Sequence, residues 1–248
     1  MAKTFINDNL NSIMTAKNAT QTSVDLYIYG DIVSSWWGAW DKEDKYPGAI
    51  KDFIKDADGK DINVHINSNG GSVFAGIAIY NMLKNYDGNV TVYIDGVAAS
   101  IASVIAMAGD RIVMRTGSAI MVHSPMICLY GGYNASEMRE MATQLDEIQK
   151  CIMQVYNSNK LSSVTAEAIE EIVNAETWLT SDKAKEYFNV EEESVAAVAT
   201  ESEFMFKFLD MPEKMKNTRN EKALEAAKAE LELLNLYRPP QYAQGETL

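Results

Sequence analysis

From Asn63 to Pro125 three apolar runs follow one another, NVHINSNGGSVFAGIAIYNML, VTVYIDGVAASIASVIAMAG and RIVMRTGSAIMVHSP, and each ends on residues that carry chemistry. The first ends on paired glycines, the second on a serine after two alanines, the third on a histidine before Ser124 and Pro125. Strand, turn and helix alternate through this stretch, so its strand ends lie next to turns. A hydroxyl, an imidazole and glycine amides at such ends are the raw material of acyl transfer.

Val64 to Asn67 reads as a short buried strand, broken by Ser68, Asn69, Gly70 and Gly71 before the helical pattern Val73, Ile77, Tyr80 begins. Two adjacent glycines admit positive φ and a close approach of backbone to substrate, with N–H groups aimed above the strand end. The plainer reading is a tight strand-to-helix turn, which needs no ligand. The second run, Val90 to Ile94, leads through Asp95 and Gly96 to Ser100, beyond which Ile101 to Ala108 reads as a buried helix. Ser100 is either a nucleophile beside a helix N-terminus or an ordinary helix N-cap.

The chain has two histidines. His65 falls inside the first strand and reads as a core or strand-face residue. His123, at the end of Ala119 to Val122, is placed to act as general base, because an imidazole titrates near neutral pH and a serine needs such a neighbour to attack.

The segments INSNGGSVFAG, DGVAAS and MVHSP, in that order and at that spacing, resemble the signature segments of the Clp protease proteolytic subunit family, over roughly residues 26 to 190. The resemblance implies the ClpP/crotonase-like α/β spiral of strand-turn-helix units with a helical handle, and a serine peptidase site. It makes Ser100 the nucleophile, His123 the base, and the backbone N–H groups of Gly71 and Ile101 the oxyanion hole. Methionine is usual where Ile101 stands, a change that a backbone donor tolerates. The family's third member is an aspartate shortly before an aromatic-Leu-Ser/Thr segment, whereas this chain reads Ile172-Val173-Asn174-Ala175-Glu176-Thr177-Trp178-Leu179-Thr180. An ungapped match sets Ile172 there; Glu176 is the carboxylate able to orient an imidazole and stabilise its cation, and Asn174 could orient without supplying charge. By the same resemblance Gly70, Gly131 and Gly132 lie beside the substrate. The family commonly has glycine where Phe188 stands, so the turn there is expected to differ.

A length of 248 residues with 47% hydrophobic content suits one large α/β domain with attachments. The net charge of -13 argues against nucleic acid or an anionic membrane surface as partner. Cys128 and Cys151 have neither metal-site nor disulfide spacing, and no apolar stretch reads as a membrane span or signal peptide, so a reduced, cytoplasmic setting is expected, the host cytoplasm for a viral protein. The chemistry calls for no metal or cofactor.

The expected organisation is an N-terminal arm over 1–23, the protease domain over 24–198, and a charged helical extension over 199–248. Within the domain, Val24 to Ile32 reads as the first strand and Pro47 opens a helix. Trp36, Trp37 and Trp40 cluster among charges, which suits buried packing or, if exposed, a contact patch. Ala135 to about Asn159 is helical in pattern, with an apolar stripe at Met138, Met141, Leu145, Ile148, Ile152 and Val155. It covers its own domain or, as the resemblance implies, packs against a second ring of a homo-oligomer. Thr165 to Val173 and Ser181 to Tyr187 read as further helices.

Peptide-bond hydrolysis through an acyl-enzyme is thus the expected function. The tryptophan segment and long tail resemble departures seen in phage head-maturation proteases, which process capsid protein. The alternatives are a housekeeping Clp proteolytic subunit working with an ATPase, a crotonase-type acyl-CoA enzyme, and a non-catalytic scaffold.

Overall fold

The computed structural model describes residues 20, 22–35, 44–129 and 131–196, all within the first of the two units into which the chain divides, Met1–Pro212. The segment of Trp36, Trp37 and Trp40, the arm before residue 20 and the whole extension over 199–248 lie outside the described residues.

Strands β1 (Ser23–Tyr29), β2 (Asp61–Ser68), β3 (Val90–Ala99), β4 (Arg111–Thr116) and β7 (Val190–Ala196) form a parallel sheet in the order β1-β2-β3-β4-β7. Parallel neighbours require long crossovers. Helix α1 (Pro47–Ala57) supplies the one between β1 and β2, and α2 (Val73–Lys84) the one between β2 and β3. Pro47 opens α1, where its missing N–H and fixed φ cost nothing.

Alternation sets the two faces of the sheet. Val24, Leu26 and Ile28 of β1, Ile62, Val64 and Ile66 of β2 and Val90, Val92 and Ile94 of β3 are buried in one core with Ile50 and Phe53 of α1 and Ile79 and Leu83 of α2. Each such side chain stabilises the fold by about 1.5–3 kcal/mol through removal from water. The intervening positions put Tyr27, His65 and Tyr93 side by side in register on the opposite face.

Strand β3 runs on past the apolar stretch that ends at Ile94. Its first half pairs with β4 over Thr91–Ile94, and its second half pairs with β5 (Ala119–Val122) over Val97–Ala99. The change of partner falls at Asp95 and Gly96, and the β2 register shifts at the same level, between Ile66 and Ser68. Glycine within a strand suits such a bend. The consequence is that Ser100, directly after β3, comes to lie beside the end of β5.

Helix α3 (Ile101–Ala106) is buried throughout. Helix α4 (Ala135–Asn159) begins with a capping box between Asn134 and Glu137 and buries Ile152, Val155 and Tyr156, while Met138 in its first turns stays 49% exposed. Helix α5 (Ala166–Asn174), strand β6 (Thr177–Thr180) and helix α6 (Ser181–Ala184) complete the fold, with β6 antiparallel to β5.

Two expected boundaries move. The first strand stops at Tyr29 because Gly30 turns the chain at φ 81, and Ile32 instead makes isolated bridges to Lys45 and Gly71. Helix α6 ends at Ala184, short of Tyr187. Phe188 takes no left-handed conformation; it is 1% exposed, and its ring centroid lies 6.0 Å from that of Tyr156.

Candidate active site

Ser100 is held in an unusual backbone conformation, φ 55 and ψ -130, which residues other than glycine seldom adopt. Such a residue costs on the order of 1–3 kcal/mol and persists only where its surroundings fix it. Here the Ser100 N–H donates to the Met121 carbonyl of β5 at 3.0 Å, and its own carbonyl accepts from the Ser103 N–H at 3.0 Å. Gly70 abuts the same residue: a Cβ at Gly70 would fall 2.7 Å from Ser100 Cβ and 2.8 Å from the Ala99 carbonyl oxygen. Gly70 therefore serves the packing of the elbow that Ser100 makes between β3 and α3. Ser100 stands at the N-cap position of α3, but its side chain makes no cap hydrogen bond.

His123 directly follows β5, and its Nε2 lies 2.7 Å from Ser100 Oγ. The imidazole is 8% exposed. Burial lowers its pKa from the usual value, and a hydrogen bond with the Ser124 backbone offsets part of that effect. A ring kept neutral at neutral pH can accept the hydroxyl proton.

Gly71 follows at φ 142, and a Cβ there would meet the Ile32 carbonyl oxygen at 2.1 Å. Only glycine fits where that loop crosses the Ile32 bridge. Gly76 of α2 makes a second close approach, since a Cβ there would fall 2.1 Å from a side-chain carbon of Ile101. Gly71, Ser100, Ile101 and His123 line one cavity, closed by apolar residues that include Val104, Met126 and Ile152.

Among the described residues three that are not glycine have positive φ: Asp58, Ser100 and Glu176. Asp58 is the C-cap of α1, a common place for it. Glu176, at φ 51, stands in the turn between α5 and β6. The β5–β6 register ends on the pair Val122 and Thr177, and His123 and Glu176 are each the next residue beyond it. Asn174 is committed elsewhere: its Oδ1 accepts from Ser124 Oγ at 3.2 Å and from Gln149 Nε2 at 2.9 Å. Ile172 is buried in the core side of α5. Gly131 and Gly132 stand exposed before α4, with nothing within 4 Å of a Cβ built on either, and they do not line the cavity at Ser100.

The sequence reading missed Ser103 and Tyr156. Ser103 Oγ lies 2.5 Å from the Ser100 carbonyl oxygen and 2.7 Å from Tyr156 Oη, and Tyr156 also lines the cavity. The only signal was a polar atom at a buried helical position. His65 is on the sheet face, as read: its Nδ1 lies 2.8 Å from Asp95 Oδ2, and its ring stacks on those of Tyr27 and Tyr93. No group of three or more residues able to hold a metal ion occurs among the described residues.

A parallel α/β sheet whose strand ends present a serine and a histidine at hydrogen-bond distance has the arrangement of a serine hydrolase. A sequence model of the Clp protease family matches residues 53–192, and the chain belongs to that family. The ATP-dependent Clp protease proteolytic subunit of Bacteroides fragilis is 33% identical over 140 residues, which cover 54% of this chain and 64% of that protein. Its Porphyromonas gingivalis counterpart is 32% identical over 138 residues, 54% of this chain and 60% of that protein. The ATP-dependent Clp protease proteolytic subunit 1 of Chlamydia abortus is 34% identical over 134 residues, 52% of this chain and 67% of that protein. The match thus spans 64% and 60% of the length of the first two relatives.

Proposed function

We propose that the chain is a serine endopeptidase. Ser100 Oγ attacks the carbonyl carbon of a peptide bond as His123 Nε2 takes its proton, and the Gly71 and Ile101 N–H groups stabilise the resulting oxyanion. Collapse breaks the C–N bond, His123 protonates the leaving amine, and a water activated by the same imidazole then releases the acyl group from Ser100. Glu176 orients His123 and stabilises its cation. The observation that carries this reading is the 2.7 Å approach of His123 Nε2 to Ser100 Oγ with Ser100 at φ 55. A crotonase-type acyl-CoA enzyme has no use for that pair.

Its role is proteolysis of protein substrates by a homo-oligomer in the cytoplasm. The exposure of Met138, with Met141, Leu145 and Ile148 half-buried along the same stripe, supports contact of α4 with a second copy. The tryptophan segment and the charged extension support capsid maturation inside an infected cell. The names of the relatives, ATP-dependent proteolytic subunits, favour a second reading, in which an ATPase delivers substrate. Among the described residues no helix is long and apolar enough to cross a membrane.

Mass spectrometry of the purified full chain tests both levels. Hydrolysis of a denatured protein substrate that disappears in Ser100→Ala is expected, and unchanged hydrolysis in that variant contradicts the endopeptidase reading. Self-cleavage within 199–248 that Ser100→Ala abolishes supports maturation; an intact chain that cleaves folded substrate only with an added unfoldase supports the ATPase partnership.

A further inference from the structure

Ser103 sits one turn into α3 and its hydroxyl, with a single proton, meets two oxygens. The Ser100 carbonyl, 2.5 Å away, can only accept. Ser103 Oγ therefore spends its proton on that carbonyl, and in the contact with Tyr156 Oη at 2.7 Å it must be the acceptor. The result is a directed relay from the Tyr156 O–H to Ser103 Oγ–H to the Ser100 carbonyl. Tyr156 is fully buried on α4, and Ser103 is fully buried on α3. Burial raises the phenol pKa of Tyr156, which keeps the donor proton in place.

A peptide unit is planar, so whatever holds the Ser100 carbonyl also holds the N–H of Ile101 on the opposite edge. That N–H is one of the two oxyanion donors assigned above. The carbonyl receives two hydrogen bonds, from the Ser103 N–H at 3.0 Å and from Ser103 Oγ. The first belongs to the helical turn itself, whereas the second depends on a side chain that Tyr156 holds in place from a different helix.

We propose that Tyr156 and Ser103 are positioning residues that lock the Ser100–Ile101 peptide plane, and so aim both the nucleophile and the Ile101 oxyanion donor. This rests on the endopeptidase reading. An oxyanion donor acts on the transition state more than on the bound substrate, so loosening it lowers kcat and leaves KM in place.

The test uses the full chain with Tyr156→Phe, which keeps the ring packed against Phe188, and with Ser103→Ala. Each is expected to lower kcat about tenfold, with KM within twofold and Tm close to the parent. The inhibition constant of a peptide boronic acid should rise by the same factor, and the double variant should be no worse than the poorer single one. A kcat within twofold of the parent, a loss confined to KM, or effects that multiply in the double variant would overturn the proposal. If the parent chain shows no turnover, the endopeptidase reading fails, and crystal structures of the two variants decide the relay alone. A turned Ser100–Ile101 peptide, with Ser100 Oγ moved off His123, supports it; an unchanged elbow overturns it.

Discussion

The two histidines of this chain make nearly the same contact and stand in opposite circumstances. His123 Nε2 lies 2.7 Å from Ser100 Oγ, and His65 Nδ1 lies 2.8 Å from Asp95 Oδ2. His65 is in mid-strand, stacked between Tyr27 and Tyr93, and its partner is a carboxylate already engaged by Tyr29 Oη at 2.8 Å and by Arg115 Nε at 3.3 Å. The guanidinium of Arg115 also lies over the Tyr93 ring and pairs with Glu193. His123 stands at a strand end, opens on a cavity, and faces a hydroxyl on a strained backbone. A histidine at hydrogen-bond distance from an oxygen is therefore not what marks a site. The cavity and the serine at positive φ distinguish it from a structural pair.

The largest effects should separate these two neighbourhoods completely. Ser100→Ala and His123→Ala are each expected to lower kcat/KM for peptide hydrolysis by about 10⁴-fold or more, while His65→Gln stays within about threefold of the parent. Comparable losses from His65→Gln would erase the distinction. Next comes Glu176, the proposed third member of the site. Glu176→Gln should cost about 10²-fold or more in kcat, and Asn174→Ala only a few-fold, in the same steady-state assay.

On the structural side the readout is stability. Asp95→Asn is expected to leave kcat/KM unchanged and to lower the free energy of unfolding in urea by about 1–3 kcal/mol at neutral pH. Burial alone would raise the Asp95 pKa, but hydrogen bonds from His65, Tyr29 and Arg115 bring it below the usual carboxylate value. Its contribution is thus fully present above the ordinary unfolded value of about 3.9 and is lost as pH falls through the lower folded value. The difference between parent and variant should shrink over that window. The smallest effect is a displaced pH profile. Because burial lowers the His123 pKa, the acidic limb of kcat/KM should have its midpoint below about 6.5, with activity full above it and lost as the imidazole is protonated.

Much of the site was legible because its residue types are rarely interchangeable at strand ends. Gly70 and Gly71 take φ 98 and 142, Pro47 opens α1, and the runs before Ser100 and His123 form the two strands that bring them together. What stayed hidden depends on contacts between distant elements. The extension of β3 to Ala99 overrides the poor strand propensity of Asp95 and Gly96 by giving the second half of the strand a new partner. The pairing of β6 with β5, which brings the segment after α5 next to the end of the His123 strand, is likewise set by register and not by any spacing along the chain. Tyr156 lay one residue past an apolar stripe, and only the packing of α4 shows its hydroxyl over Ser103.

Labelling of the intact protein with a fluorophosphonate near neutral pH, followed by peptide mapping, tests the central claim most directly. A nucleophile activated by an adjacent neutral imidazole predicts one adduct, on Ser100, that His65→Gln retains and His123→Ala abolishes. An unlabelled Ser100, or labelling that persists at the same rate in His123→Ala, would contradict it.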